Sequence, residues 1–163
     1  MGDELMPYNY REAMKLENQL CFPLYAAARN VVNLYTPLLK PLGLTYTQYI
    51  VMMVLWEEKQ VNEKFLCETL CLKSNTITPL LKKLQAKGYI QKTKDSSDER
   101  NVIITLTEAG DSLKDRALCV PETIAQEYHL EPEEAAVLYK TLYKILDQEN
   151  EKDPEKEHDT RRI

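Results

Sequence analysis

The stretch SNTITPLLKKLQAKGYIQKTKDSSDERNVIITLTEAG, residues 74–110, decides the fold. In its first part Ile77, Leu80, Leu81 and Leu84 recur at steps of three and four residues. This spacing predicts a helix with one apolar face. Polar residues fill the other face of the same helix.

The sequence also predicts the two ends of this helix and the structure of the segment after it. Ser74 is the predicted N-cap and Gly88 the predicted C-cap. After Gly88 the pattern changes to two β-rich runs, 89–94 and 101–106, separated by the polar DSSDER. Such a pattern indicates a hairpin.

A second helical segment, NEKFLCETL at 62–70, precedes this stretch, and only residues 71–73 separate the two helices. Two helices joined by so short a turn are typical of a helix-turn-helix, here 62–88. A hairpin directly after a helix-turn-helix predicts a winged helix, with the wing at 89–106. The fold class is therefore mainly α (α+β).

Long helices are predicted on both sides of the winged helix, at 15–40 and at 108–146. A stop is expected at Pro121, and Pro132 suits the first position of the last helix. Their apolar stripes need a partner, so we expect a homodimer that uses these helices. The expected organisation is a flexible arm (1–14), one domain (15–146) and a charged, disordered tail (147–163).

Composition restricts the class of protein. The chain has 163 residues and a net charge of −5, but residues 73–100 carry seven basic against three acidic side chains. A basic segment on an acidic chain is compatible with binding double-stranded DNA. No apolar run has the length of a membrane span and no secretory signal is evident, so we expect no membrane association and a cytoplasmic location.

In that reducing compartment four cysteines do not predict a disulfide scaffold. Their spacing relative to the two histidines does not suggest a zinc site. We therefore expect no metal, no cofactor and no catalytic centre.

The polar side of the second helix is the candidate DNA-reading surface. Amide, hydroxyl and ammonium groups can contact base edges and phosphates in the major groove. In the wing, Arg100 is the candidate for the minor groove, with Asp98 holding it and Lys94 nearby. The recognition-helix candidates are Ser74, Asn75, Thr76, Thr78, Lys82 and Lys83.

SSDERNVIITLTEAG resembles the wing signature of MarR-family regulators, a D-x-R followed by L-T-x-x-G, and LKSNTITPLLKKLQAKGYI is similar to that family's recognition helix. LENQLCFPLYAAAR and LYTPLLKPLGLTYTQYIVMMVLWE resemble the organic-hydroperoxide-sensing, OhrR-type branch. The resemblance covers roughly residues 15–146. It implies a dimeric winged helix with an interface built from the N- and C-terminal helices.

Cys21 is the candidate redox sensor. If Asn18 caps the first helix, Cys21 falls in its first turn, where open amides and the helix dipole favour a thiolate. The resemblance implies that Tyr35 and Tyr46 bind the thiol across the dimer. Tyr25, one turn from Cys21, is a further pocket candidate. The other cysteines (Cys67, Cys71 and Cys119) are interpreted as small buried hydrophobic residues, with a resolving cysteine as the alternative for Cys119.

The expected function is a DNA-binding repressor that releases its operator when an organic hydroperoxide oxidises Cys21 and a low-molecular-weight thiol traps the product. One alternative is a MarR-type regulator released by a small phenolic ligand. An alternative from another class is a thiol peroxidase.

Overall fold

The computed structural model describes residues 10–94 and 101–150. Most of the predicted arm and tail, and the tip of the wing, lie outside these residues.

The N-terminal part differs from the predicted single helix. A short helix α1 (Tyr10–Ala13) and a 3-10 turn (Leu16–Asn18) come first, and the long helix α2 (Cys21–Leu39) begins only at Cys21. The prediction that Asn18 caps this helix is wrong, because Leu20 occupies the cap without a side-chain hydrogen bond. The Asn18 Nδ2 instead donates to the Glu12 carbonyl at 2.8 Å.

A tight corner joins α2 to the next helix. A 3-10 turn (Lys40–Leu42) ends at Gly43, whose φ of 67° is the left-handed conformation that glycine adopts without strain. Helix α3 (Tyr46–Glu58) then starts with a capping box, in which the Thr45 hydroxyl accepts from the Gln48 amide and the Gln48 side chain accepts from the Thr45 amide.

The helix-turn-helix consists of α4 (Glu63–Thr69) and α5 (Ser74–Ala86). Asn62 caps α4 through a 2.7 Å bond from the Phe65 amide to Asn62 Oδ1. The predicted cap at Ser74 is wrong, since Lys73 holds that position and Ser74 is the first helical residue. The predicted C-cap at Gly88 is off by one residue, since Lys87 holds that position and Gly88 follows it with φ of 76°.

The wing is an antiparallel sheet of β2 (Ile90–Lys94) and β3 (Val102–Leu106), with Ile90 opposite Leu106 and Lys94 opposite Val102. A third strand that the sequence did not predict, β1 (Gln60–Asn62), pairs with the other edge of β3. The strand order is β1-β3-β2. The sheet thus joins the entrance of the helix-turn-helix to the wing.

The helix predicted to stop at Pro121 breaks earlier. Thr107 caps α6 (Glu108–Ala117) as predicted, and α7 (Cys119–Glu127) follows after Leu118. Proline has no amide for the carbonyl four residues earlier and crowds it, so continuity fails before Pro121 rather than at it. Within the first turn of a new helix the same proline is tolerated.

One apolar core unites these elements. Ile77, Leu81 and Leu84 of α5 are fully buried, as the predicted apolar face requires. Six of the 13 residues of α3 are buried too, and the Trp56 Nε1 of α3 donates to the Gly110 carbonyl of α6 at 2.8 Å. The core therefore holds α5 and the sheet against α3 and α6.

The chain divides into two compact units, one ending at Ile124 and the other beginning at Ala125. The second contains α8 (Pro132–Asn150), which starts at Pro132 as predicted. Its large apolar side chains are exposed, and the predicted stripe comprises Leu138, Leu142, Ile145 and Leu146.

Among the described residues, no single helix is long and apolar enough to cross a membrane. The bent pair Cys21–Leu42 and Tyr46–Glu58 passes the same criterion by length and composition only.

Candidate redox site and DNA interface

Cys21 is the first residue of α2 and its side chain is exposed. The first-turn position predicted for it is therefore confirmed, although the predicted cap is not. The Phe22 amide bonds back to the Gln19 carbonyl at 3.3 Å, and Pro23 contributes no amide. The start of the 19-residue helix nevertheless places the positive end of its dipole at the thiol.

Three tyrosines form one aromatic cluster where α2 meets α3. Tyr35 packs edge-on against Tyr46, with ring centroids 4.9 Å apart, and lies 5.9 Å from Tyr49. Tyr49 in turn contacts Trp56 at 6.0 Å. Tyr35 and Tyr46, the two tyrosines predicted to bind the thiol, are thus in contact with each other, and their role stays a prediction. The sequence analysis missed Tyr49.

The pKa values of two phenols in the cluster, those of Tyr46 and Tyr49, are raised. Burial, and then the neighbouring Tyr35, raise the pKa of Tyr46 above its ordinary value of 10.0. Burial also raises the pKa of Tyr49, with further contributions from Tyr35, Tyr46 and Cys119. Both hydroxyls are thus hydrogen-bond donors at neutral pH.

Cys21 and the cluster are far apart within one protomer. Cys21 and Tyr35 lie fourteen residues apart on the same uninterrupted helix α2. At about 1.5 Å per residue that separation is about 21 Å. Because Tyr46 packs on Tyr35, neither phenol can contact the thiol of its own chain.

Tyr25 stands apart from the cluster. Its side chain is 60% exposed. The Arg29 guanidinium lies over its ring at 5.7 Å from the centroid, and Arg29 Nη1 is 3.5 Å from the Tyr25 hydroxyl. Cys21, Tyr25 and Arg29 are spaced by four residues, so they share one face of α2.

The remaining cysteines divide into two kinds. Cys67 packs against the core, and burial, followed by Glu63 and Glu68, raises the pKa of its thiol. The interpretation as small buried residues is wrong for Cys71 and Cys119, which are exposed because each lies at an element boundary. In the part of the chain that the structure describes, no group of three or more potential ligands could hold a metal ion.

The polar side of α5 is only partly available to DNA. Asn75, Thr76, Lys82 and Lys83 are exposed. The hydroxyls of Ser74 and Thr78, by contrast, both point to Glu63.

The two hydroxyls differ in how close they lie to Glu63. The Thr78 Oγ1 donates to Glu63 Oε1 at 2.6 Å and the Ser74 Oγ at 3.2 Å. Ser74 and Thr78 are therefore not free donors for bases or phosphates. Sequence spacing predicts neither these two hydrogen bonds nor the role of Glu63 as their acceptor.

Lys94 lies at the end of β2 and is exposed. Asp98 and Arg100, the other wing candidates, lie outside the described residues. The structure also pairs Lys92 of the same strand with Glu63 at 3.5 Å, a contact that sequence reasoning missed.

Known proteins share this arrangement of helices and sheet. The chain is 42% identical over 139 residues to the organic hydroperoxide resistance transcriptional regulator of Bacillus subtilis, covering 85% of this chain and 95% of that one. The family described as transcriptional regulator SarA/Rot matches residues 33–117.

The chain belongs to the MarR family of transcriptional regulators, in its organic-hydroperoxide-regulator branch.

Two further relatives fit this MarR-family membership. The HTH-type transcriptional regulator SarZ of Staphylococcus epidermidis is 37% identical over 147 residues, covering 90% of this chain and 99% of that one. A crystal structure of overoxidized AbfR bound to DNA superposes with a TM-score of 0.70 at 36% identity, covering 86% of this chain and 98% of that one. AbfR has also been solved in reduced form on DNA and with a disulfide formed.

Proposed function

We propose that this MarR-family chain is a redox-sensing repressor that binds double-stranded DNA as a homodimer and releases it when an organic hydroperoxide oxidises Cys21. The observation that carries the proposal is the separation of the Cys21 thiol, at the start of α2, from the tyrosine cluster near the other end of that helix, where α2 meets α3. Two copies with α2 antiparallel would bring the Cys21 of one to the cluster of the other.

The DNA-binding half of the proposal is supported by α5 and the wing. Exposed Asn75 and Thr76 at the start of α5 suit base edges, and Lys82 and Lys83 suit phosphates. Wing residues Lys94, Asp98 and Arg100 extend the contact to the minor groove. The relatives described as DNA-bound structures have the same fold.

The redox half of the proposal rests on hydrogen bonds to the Cys21 thiolate. The hydroxyls of Tyr35 and Tyr46 from the partner would donate to the Cys21 thiolate and hold the two protomers in the DNA-binding arrangement. Their rings, with Tyr25 beside the thiol, provide apolar walls for an alkyl or aryl hydroperoxide.

Oxidation removes these hydrogen bonds. The Cys21 thiolate attacks the terminal peroxide oxygen, an S–O bond forms as the O–O bond breaks, and the leaving alkoxide takes a proton to become an alcohol. A thiol then condenses with the sulfenic acid to form a disulfide and release water. The sulfur no longer accepts from the phenols, and the two recognition helices lose the spacing that matches one turn of DNA.

In this scheme each Cys21 consumes one equivalent of hydroperoxide and the output is release of DNA, so the chain acts as a stoichiometric sensor and not as an enzyme. A reducing cytoplasm supplies both the operator and the low-molecular-weight thiol. No metal or cofactor enters the scheme.

Binding to a labelled duplex from upstream of the chain's own gene tests the proposal at one fixed salt concentration, because such binding depends steeply on salt. Reduced protein should bind, and protein treated with one equivalent of organic hydroperoxide plus a small thiol should not. The Cys21→Ser variant should bind under both conditions, whereas Cys67→Ser should respond like wild type.

Three results would contradict the proposal. Equal binding before and after oxidation would favour release by a small phenolic ligand. Continued peroxide turnover with added thiol would favour a thiol peroxidase. Loss of the response in Cys67→Ser with retention in Cys21→Ser would place the sensor elsewhere. Mass spectrometry of the oxidised protein identifies whether the small thiol or Cys119 forms the disulfide.

A further inference from the structure

One carboxylate connects three elements of the proposed DNA-binding surface. Glu63 is the first residue of α4. Its Oε1 accepts from Ser74 Oγ at 3.2 Å and from Thr78 Oγ1 at 2.6 Å, both on α5. Its Oε2 pairs with the Lys92 Nζ of β2 at 3.5 Å. Glu63 thus contacts the recognition helix and the wing at the same time.

The ion pair of Glu63 and Lys92 is shielded from solvent to an unusual degree for charged side chains. The side chains of Lys92 and Glu63 are 16% and 17% exposed. Lys64 and Glu68 on the same helix α4 form a pair at 3.7 Å with exposures of 76% and 42%. Ionic strength screens the exposed pair strongly and the shielded one much less.

The contacts determine what the neighbours can offer to DNA. Each hydroxyl has one proton, so Ser74 and Thr78 cannot donate to DNA while both donate to Glu63. Thr78 retains its methyl group, which suits the methyl of a thymine. Lys92, with its charge balanced by Glu63, is withheld from the phosphates.

A carboxylate close to bound DNA repels phosphates, so its presence lowers general affinity. We propose that Glu63 is a positioning residue that holds α5 and the wing strand as one DNA-reading unit and raises discrimination between operator and other DNA. This inference rests on the proposed DNA-binding function.

The test compares reduced wild-type protein with Glu63→Gln. The probes are the labelled upstream duplex and a shuffled duplex of the same composition, over a series of salt concentrations. In Glu63→Gln, binding to the shuffled duplex should tighten, and the ratio of the two affinities should fall by about three- to tenfold. The slope of log K against log salt should steepen by about 0.9, because the freed Lys92 now contacts a phosphate.

Glu68→Gln is the matched control, since it removes the same charge from the same helix without touching α5 or the wing. It should leave both the ratio and the salt slope unchanged. In the wild-type background, Lys92→Met should leave the slope of log K against log salt unchanged. In the Glu63→Gln background, it should return the steepened slope to the wild-type value. That non-additivity is the signature of a lysine held by Glu63.

A second variant keeps the inference testable if Glu63→Gln does not fold. Thr78→Val keeps the shape of the side chain and its methyl group but removes the hydroxyl that donates to Glu63. Its affinity ratio should also fall, and a cooperative thermal unfolding curve should show that the variant is folded.

Two outcomes overturn the inference. If wild type discriminates and both Glu63→Gln and Thr78→Val discriminate equally well, Glu63 does not position the DNA-reading unit and the proposed function still stands. If wild type binds both duplexes equally, the DNA-reading function fails and the inference fails with it.

Discussion

Tyr46 illustrates how a single hydroxyl group can serve a sensor. Its ring packs on Tyr35, and burial raises the pKa of its phenol above the ordinary value. A phenol of this kind can donate to a thiolate without adding charge to an apolar site.

We expect Tyr46→Phe to slow oxidation of Cys21 by about tenfold or more, since a hydrogen bond to a charged group is worth about 1.5–3 kcal/mol. Stopped-flow measurement of sulfenic acid formation with a limiting organic hydroperoxide provides the rate. Tyr89→Phe, at the hairpin entrance, is the control and should react like wild type. Equal rates in all three proteins would exclude Tyr46 from the sensing site.

Gly110, the glycine of the LTEAG segment, is needed because the backbone of Tyr89 lies too close to it for any side chain. A Cβ built there would overlap the Tyr89 carbonyl oxygen and come within 2.8 Å of the Leu106 Cδ1. The neighbour that has to move is backbone, which cannot rotate away like a side chain.

Gly110→Ala should therefore lower the free energy of unfolding by about 2 kcal/mol or more, the usual cost of overpacking. Urea denaturation of the reduced protein measures this quantity. Ser112→Ala, on the exposed side of α6, should change it by less than about 0.5 kcal/mol. A Gly110→Ala protein as stable as the control would mean that α6 can shift away from the hairpin.

At the scale of elements, the junction of α2 and α3 links stability to pH. Burial raises the pKa of Tyr46 and Tyr49 in the folded chain above the ordinary value of 10.0. The unfolded chain therefore loses these protons at lower pH than the folded chain. The resulting stabilisation is complete below about pH 10 and is lost as pH rises through the raised folded values.

Thermal unfolding followed from neutral to strongly alkaline pH should show a steep fall in stability that begins near pH 10. The double variant Tyr46→Phe, Tyr49→Phe should show a shallower fall over the same range, because two of the titrating groups are gone. Identical slopes in the two proteins would mean that other groups, such as lysines, dominate the alkaline transition.

The docking of α5 on the start of α3 depends on Lys87. Its Nζ donates to the Gly43 carbonyl and to Gln48 Oε1, the latter at 3.1 Å. Gln48 is only 2% exposed and already serves the capping box of α3. Removing the lysine donor leaves part of a buried amide without its partner.

Lys87→Met keeps most of the aliphatic stem, so its effect isolates these hydrogen bonds. We expect a loss of about 1 kcal/mol in the free energy of unfolding, measured by urea denaturation. Lys83→Met on the exposed side of α5 is the comparison and should be close to neutral. A loss of equal size in both variants would point to a general charge effect.

Elements with strong local signals were predictable from the sequence, and the others depend on contacts between distant residues. The wing and α5 combine regular apolar spacing with a glycine at a left-handed position, so their bounds agree closely with prediction. Strand β1 has three residues and exists only because β3 pairs with it. The start of α2 was misplaced because Asn18 turns back to Glu12 instead of capping.

The candidate site, like the fold, was only partly predictable from the sequence. Tyr35 and Tyr46 were found through resemblance and are indeed in contact, whereas Tyr49 has no sequence signal beyond being aromatic. Glu63 lies eleven residues from Ser74 and Lys92 lies far along the chain, so only the fold brings them together. Arg100 and Asp98 remain predictions.

For the whole molecule, the exposed apolar stripe of α8 is the feature that bears on assembly. Val137, Leu138, Leu142, Ile145 and Leu146 are all exposed in the chain as described. Burying such a stripe against a second copy would remove apolar surface from water and stabilise the proposed homodimer.

Leu142→Glu should weaken the dimer by at least about tenfold, because the carboxylate would have to be buried in the interface. Light scattering over a dilution series measures the mass and the dissociation constant. Lys140→Glu, a polar position on the same helix, should retain the wild-type mass. A Leu142→Glu chain that remains as dimeric as this control would show that α8 is not part of the interface.

The separation of about 21 Å between Cys21 and Tyr35 along α2 has a genetic consequence. If each sensing centre takes its thiol from one copy and its phenols from the other, the gene for Cys21→Ser and the gene for Tyr46→Phe are defective in different halves of the same centre. Co-expressed in one cell, they would form mixed dimers in which one centre combines an intact thiol with intact phenols. Two alleles that each impair sensing alone would thus complement one another, because each sensing centre needs residues from two polypeptides.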